Sequence, residues 1–79
     1  MSWDSPLTRT LVLDDGRTLA TLREAAECLI ASFGGVTHWP ALEEASKLLQ
    51  TAAESGDDAD IAAATNQVAI VLLQRGFLQ

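Results

Sequence analysis

The segment from Val68 to Leu73 constrains the fold of this chain most, because its six residues would be apolar on every side of a helix. A helix that packs on one side of a small domain normally has a polar back. Two interpretations stay open. The segment is central in the fold, or partly a C-terminal strand, since short apolar runs do not distinguish strands from buried helices. Alternatively, part of it is exposed and contacts another protein.

The second interpretation predicts a contact surface at the end of the chain. Its residues are Ile70, Val71, Leu73, Phe77 and Leu78. A chain of 79 residues buries a smaller fraction of its surface than a larger domain does, so we expect it to be marginally stable alone. Pairing across a two-fold axis is the simplest way to cover such a surface. We therefore expect a homodimer, or a subunit that binds another protein.

The N-terminal part of the single domain predicts a β-hairpin over residues 7–20, after a lead-in of residues 1–6 that shows no periodicity. Apolar residues alternate with threonines in the first strand, which is typical of a half-buried strand. The apolar residues on the inner face are Leu7, Leu11 and Leu13, and the threonines opposite them are Thr8 and Thr10. Because two strands alone are marginal in water, the apolar face must pack on a helix.

The turn of this hairpin has two possible lengths. A two-residue loop of Asp15 and Gly16 would pair Leu13 with Thr18 and Leu11 with Ala20. A three-residue loop over 14–16, with its glycine in the left-handed region, would instead pair Leu11 with Leu19 and Thr10 with Ala20. We favour the three-residue loop because it places two leucines opposite each other on the inner face.

Three helices are predicted after the hairpin, over residues 21–34, 38–55 and 57–76. Thr21 and Glu24 fit a capping box, in which the Thr21 hydroxyl accepts a hydrogen bond from the Glu24 amide and the Glu24 carboxylate accepts one from the Thr21 amide. The apolar side of the first helix consists of Leu22, Ala25, Ala26, Leu29, Ile30 and Phe33.

The ends of these helices follow from glycine, proline and aspartate. Gly34 suits a left-handed cap at the end of the first helix. Pro40 is tolerated in the first turn of the second helix, and Gly56 ends that helix. Asp57 caps the third helix, which Gly76 stops. The fold class is therefore α+β, an N-terminal β-hairpin packed on a three-helix array.

Charge and composition exclude several classes of function. The net charge is −6, and such a field repels both nucleic-acid backbones and anionic membrane surfaces. No signal peptide is apparent, and the longest apolar run is far too short to span a bilayer. One cysteine, Cys28, has no partner for an internal disulfide, which favours a reducing compartment. We expect a soluble cytoplasmic protein that binds neither nucleic acid nor membranes.

The residue types that carry catalysis are isolated in this sequence. His38 is the only histidine, and no nucleophile or acid stands at a spacing that would place it within reach. Cys28 is interpreted as a half-buried, small apolar residue. The acidic residues Asp57, Asp58 and Asp60 lack the spacing of a calcium loop. We expect no catalytic residue, no metal site and no cofactor, and we do not expect an enzyme.

Two weaker hypotheses concern small ligands. A pocket near the 34–39 loop, with Trp39, His38 and Arg23 as its walls, would make the chain a small-ligand-binding protein or a cryptic enzyme. Arg9, Arg17 and Arg23 could also hold an anion near the hairpin, although surface arginines more often pair with neighbouring acids.

Several short motifs follow one another in order along the chain. They are Asp15-Gly16-Arg17, Thr21-x-x-Glu24-Ala25-Ala26-x-x-Leu29 and, in the last helix, Ala64 twelve residues before Gly76. In these motifs the chain, from about Leu7 to Leu78, resembles the short bacterial family catalogued as domain of unknown function 982. The resemblance implies a small α+β bacterial protein with no assigned activity. The chain departs from the family at two places. The family pattern has Trp-Pro close after the first helix, whereas here residues 34–38 intervene before Trp39-Pro40. The family pattern also has an arginine early in the last helix, where this chain has Thr65.

Overall fold

The computed structural model of the chain describes residues 3–35 and 38–78. A two-stranded antiparallel hairpin is followed by three helices. The strands are β1, Pro6–Val12, and β2, Thr18–Thr21, and the helices are α1, Leu22–Phe33, α2, Pro40–Ser55, and α3, Asp58–Gln74. The predicted α+β class, with a hairpin on three helices, is confirmed. The second helix begins at Pro40 rather than at position 38, and Trp39 is its N-cap.

The three-residue hairpin loop is present as the sequence predicts. Leu11 pairs with Leu19, and both side chains are buried. Gly16 has a φ of 90°, the left-handed conformation that glycine adopts without steric cost. The Leu13 carbonyl accepts a hydrogen bond from the Gly16 amide at 3.0 Å, and the Leu13 amide donates to the Arg17 carbonyl at 2.8 Å.

The hairpin ladder is irregular beyond this turn. The register shifts between Pro6 and Leu11, and Pro6 then pairs with Thr21, so the regular continuation predicted for Thr10 and Ala20 is interrupted. In a regular strand Arg9 would share the inner face with Leu7 and Leu11. Arg9 is instead exposed, and its guanidinium donates to the Asn66 side chain at 2.9 Å. The irregularity keeps a charged residue out of the core.

The predicted lead-in is part of the fold from Trp3 onward, while residues 1 and 2 lie outside the described ranges. Trp3 is half-buried and packs against the core. The Trp3 carbonyl accepts from the Arg23 amide at 2.8 Å, and the Ser5 carbonyl accepts from the Leu22 amide at 3.1 Å. These carbonyls satisfy two amides of the first helical turn, which have no partner within α1.

The capping of α1 differs from the prediction at both ends. The Thr21 hydroxyl accepts from the Glu24 amide, as expected, but the Glu24 carboxylate accepts from the Ala20 amide at 3.0 Å rather than from Thr21. At the other end Gly34 is right-handed, with a φ of −58°, so the predicted left-handed cap is wrong. Glycine is needed there for space, because a Cβ atom would lie 2.5 Å from the Ile30 carbonyl oxygen.

Helix α3 is the central element of the fold, since it packs against both α2 and β1. Thr65 is fully buried, and its hydroxyl donates to the Ile61 carbonyl at 2.8 Å and accepts from the Thr8 amide at 3.3 Å. The other buried residues of α3 are Ile61, Ala64, Val68, Ala69, Val71 and Leu72. The wide apolar surface of this helix follows from its two partners. The alternative that the apolar run is a strand is wrong.

The end of the chain folds back onto the hairpin turn. Gly76, with a φ of 73°, donates to the Leu73 carbonyl, and the Phe77 amide donates to the Leu72 carbonyl. These two bonds form the Schellman motif that satisfies the last carbonyls of a helix. Beyond it, the Phe77 carbonyl accepts from the Asp14 amide at 2.8 Å, and Leu78 forms a β-bridge with Leu13.

Candidate functional site

Helix α3 presents an exposed face opposite its packed side. The exposed residues on this face, which we call the α3 face, are Ala59, Ala63, Asn66, Ile70 and Leu73. Their spacing alternates between four and three residues, which is the spacing of a coiled-coil seam. Ile70 is 45% exposed and Leu73 is 64% exposed, and the sequence from Ile61 to Gln74 contains no charged residue. The α3 face is therefore partly apolar and none of its five residues is charged, although the Arg9 guanidinium of β1 contacts it at Asn66.

The predicted contact residues divide into two groups. Val71 is fully buried, so it is not available to a partner, and including it was wrong. It lies three residues after Val68 and seven after Ala64, which places it on the buried side of the helix with them. Leu78 is half-buried, because it pairs with Leu13 across the fold.

The remaining predicted contact residues are exposed, but they do not form one surface. Ile70 and Leu73 belong to the α3 face. Phe77 follows the helix and is 37% exposed, with its ring centroid 5.5 Å from that of Phe33 at the end of α1. Phe77 is thus held by an intramolecular contact, and among the predicted contact residues Ile70 and Leu73 are the side chains most open to a partner.

The two ends of α3 carry opposite charges. Asp58 and Asp60 lie in its first turn, where they also interact favourably with the positive end of the helix dipole. Arg75 is the C-cap, and its guanidinium carbon lies 4.6 Å from the ring centroid of Trp39. An acidic end and a basic end therefore flank the uncharged α3 face.

A groove of about 590 Å³ lies between α1 and α2. One wall is apolar and is formed by Trp3 together with Ala26, Ile30 and Phe33 of α1. Ile30 was predicted to belong to the packed side of α1, but it is 71% exposed, which is a correction to that prediction. Its exposure follows from the groove, because α2 does not cover this part of α1.

The opposite wall of the groove carries its polar groups. It is formed by α2, which contributes Leu42 and Leu49 together with the polar residues Glu43, Ser46, Lys47 and Gln50, and the polar residues have spacings of three, one and three positions. These spacings place all four residues on one face of a helix. Lys47 is the only lysine of the sequence. Across residues 3–35 and 38–78, no carboxylate lies within ion-pair distance of its ammonium group.

The groove touches the 34–39 loop at Gly34, but Trp39, His38 and Arg23, which were predicted as the walls of a pocket there, do not line it. Trp39 packs edge-on against Phe33, with ring centroids 5.4 Å apart, and Arg75 covers its face. Arg23 pairs with Asp4 at 3.3 Å. His38 is exposed, with a left-handed φ of 62°, and residues 36 and 37 of the predicted pocket loop lie outside the described ranges.

The three arginines considered as an anion site have separate partners. Arg9 binds Asn66, Arg23 binds Asp4, and Arg17 binds Asp15 with its Nε atom 2.7 Å from the carboxylate. The pKa of Asp15 is lowered, first because the Arg17 amide donates to its carboxylate at 3.0 Å and further because of the Arg17 side chain.

Residues 3–35 and 38–78 present neither a metal-binding cluster nor a membrane-spanning helix. No group of three or more histidine, cysteine, aspartate or glutamate side chains is placed to hold a metal ion among the described residues. No helix within those ranges combines the length and the apolar character that crossing a membrane requires.

Comparison with known proteins identifies no relative of this chain. The sequence matches no family model, no curated protein and no solved structure. The resemblance to domain of unknown function 982 therefore stays a prediction.

Proposed function

We propose that this chain is a protein-interaction module that forms a homodimer through the α3 face. The observation that carries the proposal is the exposure of Ile70 and Leu73 within a helix segment that has no charge. Two molecules with a net charge of −6 repel each other over most of their surfaces. An uncharged apolar face is where that repulsion is weakest and where burial from water is most favourable.

The spacing of the α3 face favours antiparallel pairing of the two helices. With the two-fold axis at Asn66, Leu73 of one copy faces Ala59 of the other, and Ile70 faces Ala63. Each large side chain then lies opposite a small one, which lets the two helices approach closely. The two Asn66 side chains then lie at the axis, each accepting a hydrogen bond from the Arg9 guanidinium of its own copy.

The charges at the ends of α3 support the same orientation. In an antiparallel pair, Asp58 and Asp60 of one copy lie near Arg75 of the other, whereas a parallel pair would bring like charges together. Antiparallel helix dipoles also interact favourably. Antiparallel pairing is therefore the arrangement that we propose.

Compartment and origin are part of this proposal. The single cysteine, Cys28, is half-buried in α1 and suits a reducing cytoplasm. The resemblance to domain of unknown function 982 favours a bacterial origin. The resemblance supplies no activity, so the proposal rests on the α3 face.

Sedimentation equilibrium of the full chain tests the proposal. We expect a dimer for the wild type and a monomer for Leu73→Asp, since the substitution places a carboxylate within the pairing surface, opposite Ala59 of the other copy. The matched control is Ile30→Asp on α1, which replaces another exposed aliphatic residue and should remain a dimer. A monomeric wild type at high concentration would contradict the proposal, as would the same association state in both variants.

A further inference from the structure

We propose that the groove between α1 and α2 binds a small amphipathic carboxylate, a compact apolar body with one carboxylate end. This site is distinct from the α3 face, because no residue of α3 lines the groove. Ligand binding there and pairing through α3 are therefore independent properties of the same chain.

The size and the lining of the groove fit a small molecule. Ligand sites in proteins typically measure ~300–1,000 Å³ and are mainly apolar with a few polar groups. The groove measures about 590 Å³. Leu29 and Leu49 are buried side chains that contribute to its lining, and Ile30 and Trp3 remain accessible to solvent on the apolar wall. An apolar ligand body would cover these two side chains and remove them from water.

The polar wall determines the preferred end group of the ligand. Lys47 supplies an ammonium group that has no acid partner among residues 3–35 and 38–78, and Ser46 beside it can donate from its hydroxyl. Glu43 lies one turn away and offers only acceptors at neutral pH. Its charge opposes an anion near its own end of the wall, which directs the carboxylate towards Lys47 and Ser46. Charge-assisted hydrogen bonds of this kind are the strong ones.

The ligand class can be tested with three probes that share one apolar chain. Octanoate, 1-octanol and octylammonium would be titrated into the full chain, with the tryptophan fluorescence, to which Trp3 in the groove contributes, and the heat of binding as readouts. We expect octanoate to bind about tenfold more tightly than 1-octanol, as one charge-assisted contact predicts, and octylammonium to bind most weakly. Equal affinities, tightest binding of octylammonium, or silence in both readouts would overturn the proposal.

Two variants separate the end group from the apolar wall. Lys47→Gln should remove the preference for octanoate over 1-octanol, because it removes the ammonium while keeping a long polar side chain. Ile30→Glu should weaken octanoate binding by at least about tenfold, because it places a like charge on the apolar wall. The matched control is Leu73→Glu, which lies outside the groove and should bind as the wild type does. Unchanged octanoate binding by Ile30→Glu would contradict this location for the site.

The same variants keep this inference separate from the proposed function. Leu73→Glu should abolish the dimer and leave octanoate binding intact, whereas Ile30→Glu should do the reverse. If the dimer proposal fails, octanoate binding can still be measured, and if the ligand proposal fails, the association state can still be measured.

Discussion

At the scale of single residues, Thr65 shows why a polar side chain occupies the centre of an apolar helix. Its hydroxyl bridges α3 and β1 by accepting from the Thr8 amide and donating to the Ile61 carbonyl. The family resemblance leads one to expect an arginine at this position. The site is fully buried, and an arginine there would place a charge inside the core, which is costly. The departure at Thr65 thus has a structural role.

Thr65→Val tests that role with a side chain of nearly the same shape. We expect a loss of about 1 kcal/mol in the free energy of unfolding, because the Thr8 amide loses its acceptor. Urea denaturation measures the change. Ser5→Ala, which alters a hydroxyl outside the core contact, serves as the control. A Thr65→Val variant as stable as the wild type would show that this hydrogen bond contributes nothing to stability.

Asp15 gives the hairpin turn a dependence on pH. The pKa of its carboxyl lies below the ordinary value of 3.8 in the folded state, chiefly because the Arg17 amide donates to the carboxylate. The ionised Asp15 carboxylate therefore stabilises the folded state fully above pH 3.8, and this stabilisation is lost as the pH falls through the lowered pKa of the folded state. Asp15→Asn should be less stable than the wild type at neutral pH, and this difference should shrink in acid. Denaturation at a series of pH values measures it, and a constant difference would contradict the assignment.

At the scale of elements, the orientation of the α3 pair can be tested by disulfide formation. In a Cys28→Ser background, Asn66→Cys should form a cross-linked dimer on mild oxidation, because position 66 meets its own copy at the two-fold axis. Ala59→Cys should not, since position 59 faces position 73. Non-reducing electrophoresis separates the two outcomes. Cross-linking at both positions would indicate a parallel pair instead.

The elements themselves were largely predictable because their signals are local. The Leu11–Leu19 pairing followed from the turn sequence, and the Thr21 cap followed from the residue three positions later. Ile30 and the groove beside it could not be predicted, because the exposure of Ile30 depends on how α1 and α2 lie against each other. The prediction that Val71 lies on the contact surface was wrong for a similar reason. A run that is apolar on every side gives no local clue to which side chains the neighbouring elements will cover.

At the scale of the whole molecule, association through α3 would couple stability to concentration. A dimer that dissociates on unfolding is stabilised by mass action, so its Tm rises with protein concentration. We expect this rise for the wild type and for Ile30→Asp, and a Tm independent of concentration for Leu73→Asp. Calorimetry over a hundredfold range of concentration measures it. A wild-type Tm that does not change with concentration would argue against a dimer.

The hydrogen bond from the Asp14 amide to the Phe77 carbonyl joins the hairpin turn to the residues that follow the last helix, far apart in the sequence. Such a long-range closure forms only when most of the intervening chain is in place, and it slows folding relative to local contacts. The Asp14 amide proton should consequently exchange with solvent deuterium only when the whole structure opens, rather than through fraying of the turn. A single proton at the tip of the hairpin would then report the global unfolding of the molecule.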